Sequence, residues 1–244
     1  MHSMLSNYKS IDTFLSNHYT FKRGLPWGFA IYRCSYKDDS AWNRLLQHLE
    51  ERIKTDLEYN KRMDLLPHHQ FVINDDVNKF NGATSHDIRD HFNTWVKDQL
   101  PQVVASPDVL EHLQSSNRGL APEYYLGARW NFCLFVDDFC LDALEHIDSV
   151  NGPVVKILSK QWGNLSPEER KYQIHPDWHD GETDDELEMV GWMYIPTCEC
   201  VWWYDLLEDQ TAHWDGFYLR PPQLFDGCNI VDVGKDLARI RYQS

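Results

Sequence analysis

Two pairs of metal-ligating residues lie in the last third of the sequence, His175 with His179 and Cys198 with Cys200. Two imidazoles and two thiolates suit a tetrahedral zinc ion. In a strand, Cys198 and Cys200 would face the same side, which fits either a shared metal or simple burial. Pro176 disfavours a helix that would align the two histidines. Zinc therefore competes with a plainer interpretation, in which the cysteines are core residues and the histidines lie in a polar loop.

A second constellation is the run Asp137-Asp138-Phe-Cys-Leu-Asp142. Three carboxylates on one helix face can hold magnesium ions that bind a diphosphate. The run follows a predicted strand and opens a predicted helix, where an aspartate commonly caps the helix. No partner motif of the Asn-Asp-x-x-Ser-x-x-x-Glu type follows downstream. We predict no resident cofactor, with zinc and magnesium left open.

Aromatic side chains are concentrated towards the end of the chain. They either fill the core of a loop-rich sheet or line an apolar pocket, where Trp N–H and Tyr O–H groups orient a small molecule. Acidic residues around this cluster favour a neutral or cationic guest. The residues predicted to line the pocket are Trp192, Trp202, Tyr204, Trp214 and Tyr218.

The charge of the chain excludes one class of partner. The 244 residues carry a net charge of −15, which argues against nucleic-acid binding because phosphates require a basic face. Segment 177–188 is rich in Asp and Glu and has no Lys or Arg. Such a run is usually a solvated loop, and the alternative is a surface that binds a cation or a basic protein.

Sorting signals are not visible in the sequence. The start lacks the features of a secretory signal, no window is apolar enough to span a membrane, and lipidation motifs are missing. We therefore expect a cytoplasmic protein without a membrane partner. The P-loop, the dinucleotide fingerprint and Gly-x-Ser-x-Gly are also absent.

Hydrophobic patterns predict an α+β fold. Strand–helix–strand occurs at 27–73 and again at 130–158, which predicts two halves of a ferredoxin-like (split βαβ) sandwich. Extra aromatic-rich strands are predicted at 192–195, 199–204 and 214–219. We expect residues 1–25 to form a polar N-terminal extension and residues 26–244 a single domain, with an internal seam at 101–128.

Two helices have the clearest signals. Ser40 is the predicted cap of a helix with an apolar stripe of Trp42, Leu45, Leu46, Leu49, Ile53 and Leu57. Ser85 is the predicted start of another helix, which we expect to end at Pro101.

Six segments along the chain have a distinctive sequence. They are Trp27-Gly-Phe-Ala-Ile-Tyr-Arg-Cys-Ser-Tyr, Asp39-Ser-Ala-Trp-Asn-Arg-Leu, Ser85-His-Asp-Ile-Arg-Asp-His-Phe-Asn-Thr-Trp, Asn131-Phe-Cys-Leu-Phe-Val-Asp-Asp, Val190-Gly-Trp-Met-Tyr-Ile-Pro and Tyr218-Leu-Arg-Pro-Pro. With these segments the chain resembles a large family of uncharacterised proteins of filamentous ascomycete fungi. The resemblance implies a lineage-restricted cytoplasmic protein, with some members expected beside secondary-metabolite genes. It implies no activity and transfers no functional residue.

The sequence thus leads to three functional hypotheses. The first is a non-catalytic or accessory small-molecule-binding protein of the fungal cytoplasm, serving secondary metabolism. The second is a divalent-metal-dependent enzyme that uses the His/Cys or the Asp cluster. The third is an interaction module that binds a protein partner through the acidic segment 177–188.

Overall fold

A mixed β-sheet covered by helices forms the core of the protein. The computed structural model describes residues 7–115, 126–146, 152–160, 189–209, 212–226 and 229–232. The strands are β1 (Ala30–Arg33), β2 (Val72–Asn74), β3 (Phe132–Val136), β4 (Val154–Ser159), β5 (Trp192–Pro196), β6 (Gln223–Asp226) and β7 (Asn229–Asp232). The helices are α1 (Lys9–Ser16), α2 (Asp39–Tyr59), α3 (Val77–Phe80), α4 (Ser85–Val103), α5 (Pro107–Ser115), α6 (Ala128–Asn131), α7 (Asp138–Asp142), α8 (Cys200–Asp209) and α9 (Ala212–Phe217). The combination of helices and strands that the sequence predicts is confirmed.

The main sheet has five strands in the order β2-β1-β3-β4-β5. β1 runs parallel to both neighbours, with Ala30 opposite Val72 on one side and opposite Cys133 on the other. β4 is antiparallel to β3 and to β5. β6 and β7 form a separate antiparallel pair. The main sheet is therefore parallel on the β2 side and antiparallel on the β5 side.

Continuous burial explains the central strands. Every residue of β1, β3, β4 and β5 is buried, as expected for strands that are covered on both faces. β2 lies at an edge and is only partly buried. The strands predicted around residues 132, 154 and 192 are confirmed, although residues 128–131 before β3 form the short helix α6.

The two predicted long helices are present, with different ends. The N-cap of α2 is Asp38, whose carboxylate accepts hydrogen bonds from the backbone N–H groups of Ser40 and Ala41. Ser40 is therefore inside the helix and is not its cap. α4 begins at Ser85 as predicted, with Thr84 and Asp87 forming a capping box. It continues past Pro101 to Val103, so the predicted end was two residues short.

The strand pairing differs from the split βαβ arrangement. In a split βαβ unit, another strand lies between the two parallel strands that the helix connects. Here β1 and β2 pair directly, with Ile31 opposite Ile73, and α2 crosses between these neighbours. The second strand–helix–strand segment joins β3 to β4, which are antiparallel. The ferredoxin-like topology is therefore not confirmed.

Two predicted C-terminal strands are helices. Segment 199–204 lies mostly in α8, and segment 214–219 begins in α9. In α8 the buried residues include Cys200, Trp203, Tyr204 and Leu207, which follow the i, i+3, i+4, i+7 spacing of a helix face. The strand prediction was wrong because a dense run of aromatic residues also favours a strand, whereas the burial of this segment has the helical period.

Part of the predicted N-terminal extension is packed against the core. Residues 9–16 form α1, which contacts α8 and buries Ile11 and Phe14. The hydroxyl of the buried Tyr8 donates a hydrogen bond to Asp56 on α2. In the predicted seam, α5 occupies residues 107–115, and residues 116–125 lie outside the described ranges.

Candidate functional site

A cavity lies between α1, α8 and the segment that precedes α6. Its volume is about 260 Å³. Phe14, Phe21 and Leu126 supply buried apolar walls, and Lys9 and Thr13 are exposed at its rim. The remaining lining residues are Ser10, Asn17, Gly127 and Glu208. The lining of the cavity is therefore mostly polar, with three buried apolar side chains as its apolar part.

Glu208 is the acidic group of this cavity, and a glycine makes room for it. Its Oε2 accepts a hydrogen bond of 2.9 Å from the backbone N–H of Ala128. Gly127 has a φ of +85°, and a Cβ at this position would lie 2.0 Å from Glu208 Oε1. A larger residue at position 127 would displace the carboxyl group. The observed position of Glu208 therefore requires glycine at position 127.

The surroundings of Glu208 favour its protonated form. Burial raises its pKa to about 8, and the negative charge of Asp205 acts in the same direction. The Ala128 amide, Tyr204 and Arg129 oppose this increase without cancelling it. Among the described residues, no basic side chain forms an ion pair with Glu208. At neutral pH the carboxyl group is therefore mostly neutral and able to donate or accept a hydrogen bond.

Tyr204 lies one helical turn before Glu208 and supports it from the core. Its ring makes edge contacts with Trp27 at 5.4 Å and with Phe29 at 5.0 Å between centroids. Burial and the charge of Glu208 raise the pKa of Tyr204, so its hydroxyl is protonated. The aromatic contacts of Tyr204 therefore support the carboxyl group of Glu208 from the core side.

The guanidinium group of Arg129 is hydrogen-bonded to backbone carbonyl groups and not to Glu208. Its Nη1 donates hydrogen bonds to the carbonyl oxygens of Pro26, Gly28 and Gln70 at 2.9–3.1 Å. These bonds fasten the segment before β3 to the segments before β1 and β2. Burial, reinforced by the charge of Arg129, lowers the pKa of His69 to about 4, so this imidazole is neutral. Arg129 thus acts on Glu208 only from a distance.

Asp205 on α8 holds α1 in place, and α1 forms one wall of the cavity. Its Oδ1 accepts hydrogen bonds from the backbone N–H groups of Ser10 and Ile11, both at 3.0 Å. The N-cap residue of α1, Tyr8, provides no side-chain cap, so a carboxylate from α8 takes that role. Burial raises the pKa of Asp205.

The five residues of the predicted aromatic pocket are spread over three elements and the segment that follows α9. Trp192 is fully buried on β5, and Trp202 is half-buried on α8 beside Trp203. Trp214 on α9 packs against Phe132 and Tyr218. The fifth residue, Tyr204, lies beside Glu208. None of the five lines the cavity at α1, and the structure does not bring them together around one described space.

The predicted zinc ligands are only partly within the described ranges. His175 and His179 lie outside them, as does the acidic segment 177–188. Cys198 is exposed in a 3-10 turn, and Cys200 is buried at the start of α8. Because this segment is helical, the side chains two positions apart do not face the same side, contrary to the strand interpretation.

The carboxylates of the predicted magnesium motif are paired with lysines. Asp137 caps α7 through the Cys140 N–H and forms an ion pair with Lys156, and Lys37 bridges Asp138 and Asp142. Among the described side chains, no three His, Cys, Asp or Glu residues are placed to hold a metal ion. The helix-capping interpretation of Asp137 is confirmed.

Sequence reasoning missed Glu208, although one signal was available. Tyr204 and Glu208 are four residues apart, so a helical assignment of this segment would have placed a carboxylate on its buried stripe. Gly127 gave no such signal, since its role depends on the approach of α8.

The fold and the site define a mixed α/β protein with a small, partly polar cavity. No protein-family model matches this chain, and no significant match was found to a curated protein or to a solved structure. No described helix combines the length and apolar character that crossing a membrane requires. A functional argument for this protein therefore rests on the chemistry of the cavity.

Proposed function

We propose that this protein binds a small molecule in the cavity between α1, α8 and residues 126–127. The observation that carries the proposal is the placement of Glu208 in a space of about 260 Å³, together with buried apolar walls. A carboxyl group held beside an open space gives a guest one polar anchor, while Phe14, Phe21 and Leu126 offer apolar contact.

The size of the cavity favours a compact guest. An apolar cavity of roughly 150 Å³ accommodates benzene. A space of about 260 Å³ has room for a ring with a short substituent, or about ten non-hydrogen atoms. Large cofactors such as dinucleotides exceed this volume.

A binding role agrees with the first hypothesis from the sequence, but the proposed site is a different one. The proposed location is the α1–α8 cavity and not the group of five aromatic residues. The resemblance to fungal proteins supports an accessory role in the cytoplasm, connected to secondary metabolism. The cytoplasmic location and the connection to secondary metabolism are part of this proposal.

The test is a matched pair of tryptophan substitutions on α1. Thr13 lines the cavity, and Ser16 on the same helix does not. Both residues are exposed, and both hydroxyls bond to the carbonyl four residues earlier, Thr13 to Lys9 and Ser16 to Asp12. Thr13→Trp would fill the cavity, whereas Ser16→Trp would add the same bulk outside it.

A panel of ring-containing fragments is tested for binding to the full chain by ligand-observed NMR, and the protein from a fungal host is examined by native mass spectrometry. We expect the wild type and Ser16→Trp to bind the same fragments and Thr13→Trp to lose them. Binding that survives Thr13→Trp unchanged would place the site elsewhere. A complete lack of binding to the wild type would refute the proposed function.

A further inference from the structure

We propose that the guest of this cavity is a small organic amine, bound as its cation with the ammonium group on Glu208. This inference rests on the proposed function and adds the chemical class of the ligand. It is carried by the contacts of Glu208 and by the distribution of charge around it.

Glu208 lacks a positive partner among the described residues. Arg129, the basic residue that acts on it, is bound to the carbonyl oxygens of Pro26, Gly28 and Gln70. The ion pairs of the described residues do not include Glu208. The position for a cation beside this carboxylate is therefore open to a guest.

The hydrogen-bonding capacity of Glu208 also suits an ammonium group. An ionised carboxylate has about four lone-pair sites, and an ammonium group donates three hydrogen bonds. The backbone N–H of Ala128 uses one acceptor site on Oε2. A guest with several hydrogen-bond donors would fill the remaining acceptor sites of Glu208. A carboxylate guest would instead place its own acceptor oxygens against those of Glu208.

The charged groups around the cavity are mostly acidic close to Glu208. α8 contributes Glu208 and Asp205, together with the protonated Tyr204. α1 contributes Lys9, which is exposed at the rim, where solvent weakens its effect. Beyond the wall, Arg129 is bound to carbonyl groups and His69 is neutral. The balance close to Glu208 is acidic.

Two aromatic rings of the cavity wall suit the apolar part of an amine guest. Phe14 and Phe21 both line the cavity, with ring centroids 5.0 Å apart in an edge arrangement. A ring-bearing amine would therefore find apolar contact on these rings and charge complementarity at Glu208.

Binding requires one proton to leave. The pKa of Glu208 is about 8, so at pH 7 the carboxyl group carries a proton that it must lose before it can pair with an ammonium ion. The O–H bond breaks, the proton passes to the buffer, and no other bond is made or broken. Affinity for an amine therefore rises as the pH approaches the pKa of the carboxyl group.

The experiment compares benzylamine, benzyl alcohol and benzoate, which share one ring and differ in charge. Titrations by NMR are made at pH 6 and pH 8 with the full-length wild type and with Glu208→Gln. The ionised fraction of a group with a pKa of about 8 grows about 50-fold over this interval, so we expect a similar gain in affinity for benzylamine. Glu208→Gln should lose this pH dependence and bind benzylamine no better than benzyl alcohol.

The outcomes separate the two proposals. If benzyl alcohol or benzoate binds in a manner sensitive to Thr13→Trp while benzylamine does not, the amine assignment is wrong and the binding function stands. Affinity for benzylamine that falls between pH 6 and pH 8 would also overturn the assignment. Since the pH series is measured on the wild type, it remains decisive even if Glu208→Gln fails to fold.

Discussion

Lys156 Nζ lies 2.6 Å from Asp137 Oδ2, and the side chain of Lys156 is wholly buried. The two residues are on neighbouring elements, because Lys156 on β4 is opposite Phe135 on β3, two residues before Asp137. The ammonium group also lies 4.3 Å from the centre of the Trp192 ring. Burial raises the pKa of Asp137, but Lys156 and the hydrogen bonds from Cys140 together outweigh this effect, so the pKa is lowered and the carboxylate is ionised. One aspartate therefore caps α7 and neutralises a lysine in the core.

We expect Lys156→Met to destabilise the protein by about 3 kcal/mol, because removal of one member of a buried ion pair leaves the other charge without compensation. Asp137 retains 21% side-chain exposure, which places the expected cost at the lower end of the range for such pairs. Urea denaturation gives the free energy of unfolding.

The control for this pair is Lys37→Met. Lys37 contacts Asp138 and Asp142, but its side chain is 43% exposed. Exposed ion pairs contribute less than about 1 kcal/mol. Equal losses in the two variants would show that burial does not set the strength of the Lys156–Asp137 interaction.

Gly127→Ala should cost more than Gly24→Ala. Both glycines have a positive φ, +85° at Gly127 and +80° at Gly24, which disfavours alanine at either position. Gly127 also has a ψ of −170°, a combination that is almost exclusive to glycine and adds to the cost there. A Cβ at Gly24 meets nothing within 4 Å, whereas a Cβ at Gly127 meets the Glu208 carboxyl group. Thermal unfolding of both variants measures the difference.

A double mutant shows whether Glu208 causes that difference. Glu208→Ala removes the group that clashes, so Gly127→Ala should cost less in its presence than in the wild type. Additive effects of the two substitutions would indicate that the backbone conformation alone requires glycine at position 127.

The stability of the wild type should fall relative to Glu208→Gln as the pH rises from 5 to 8. The pKa of Glu208 is about 8 in the folded protein and 4.5 in the reference state, so within this range the native state binds the proton that the unfolded chain has lost. The slope from a single proton is at most about 1.4 kcal/mol per pH unit. Well below pH 4.5 the two curves should run parallel, because Glu208 is then protonated in both the folded and the unfolded state.

Denaturant titrations at half-unit pH intervals give this comparison. Curves that stay parallel from pH 5 to pH 8 would mean that Glu208 titrates alike in the folded and unfolded chains. The cavity would then have no desolvating effect on its carboxyl group.

Asp205→Ala should loosen α1. Its carboxylate caps the helix through Ser10 and Ile11, and loss of an N-terminal cap typically costs about 1 kcal/mol. Amide hydrogen exchange should become faster in α1 while it stays unchanged in α4. Asp215→Ala, at an exposed position of α9, is the control and should leave exchange in α1 unchanged. Equal protection of α1 in both variants would contradict the capping role.

The sequence predicted elements better than it predicted their arrangement. Continuous apolar runs such as Phe132–Val136 identify buried strands, and the stripe from Trp42 to Leu57 identifies α2. The direct pairing of Ile31 with Ile73 is not visible, because a buried strand carries no mark of its neighbour. In α8, adjacent aromatic residues concealed the helical period.

The cavity was beyond sequence reasoning for a related reason. Its walls come from residues 9–21, from residues 126–127 and from Glu208, which are brought together only by the packing of α1 on α8. The conspicuous carboxylate Asp137 caps α7 and pairs with Lys156 instead. Among the predicted site residues within the described ranges, Tyr204 lies beside Glu208.

The contact between α1 and α8 also has a consequence for synthesis. Ile11 precedes its capping residue Asp205 by 194 positions. Ribosomes add about 5–20 residues per second, so roughly 10–40 s separate the two residues during translation. Throughout that interval the apolar side of α1 has no α8 to cover it, and a nascent chain in this state is a ready client for chaperones. α1 therefore reaches its final position only after α8 has been made.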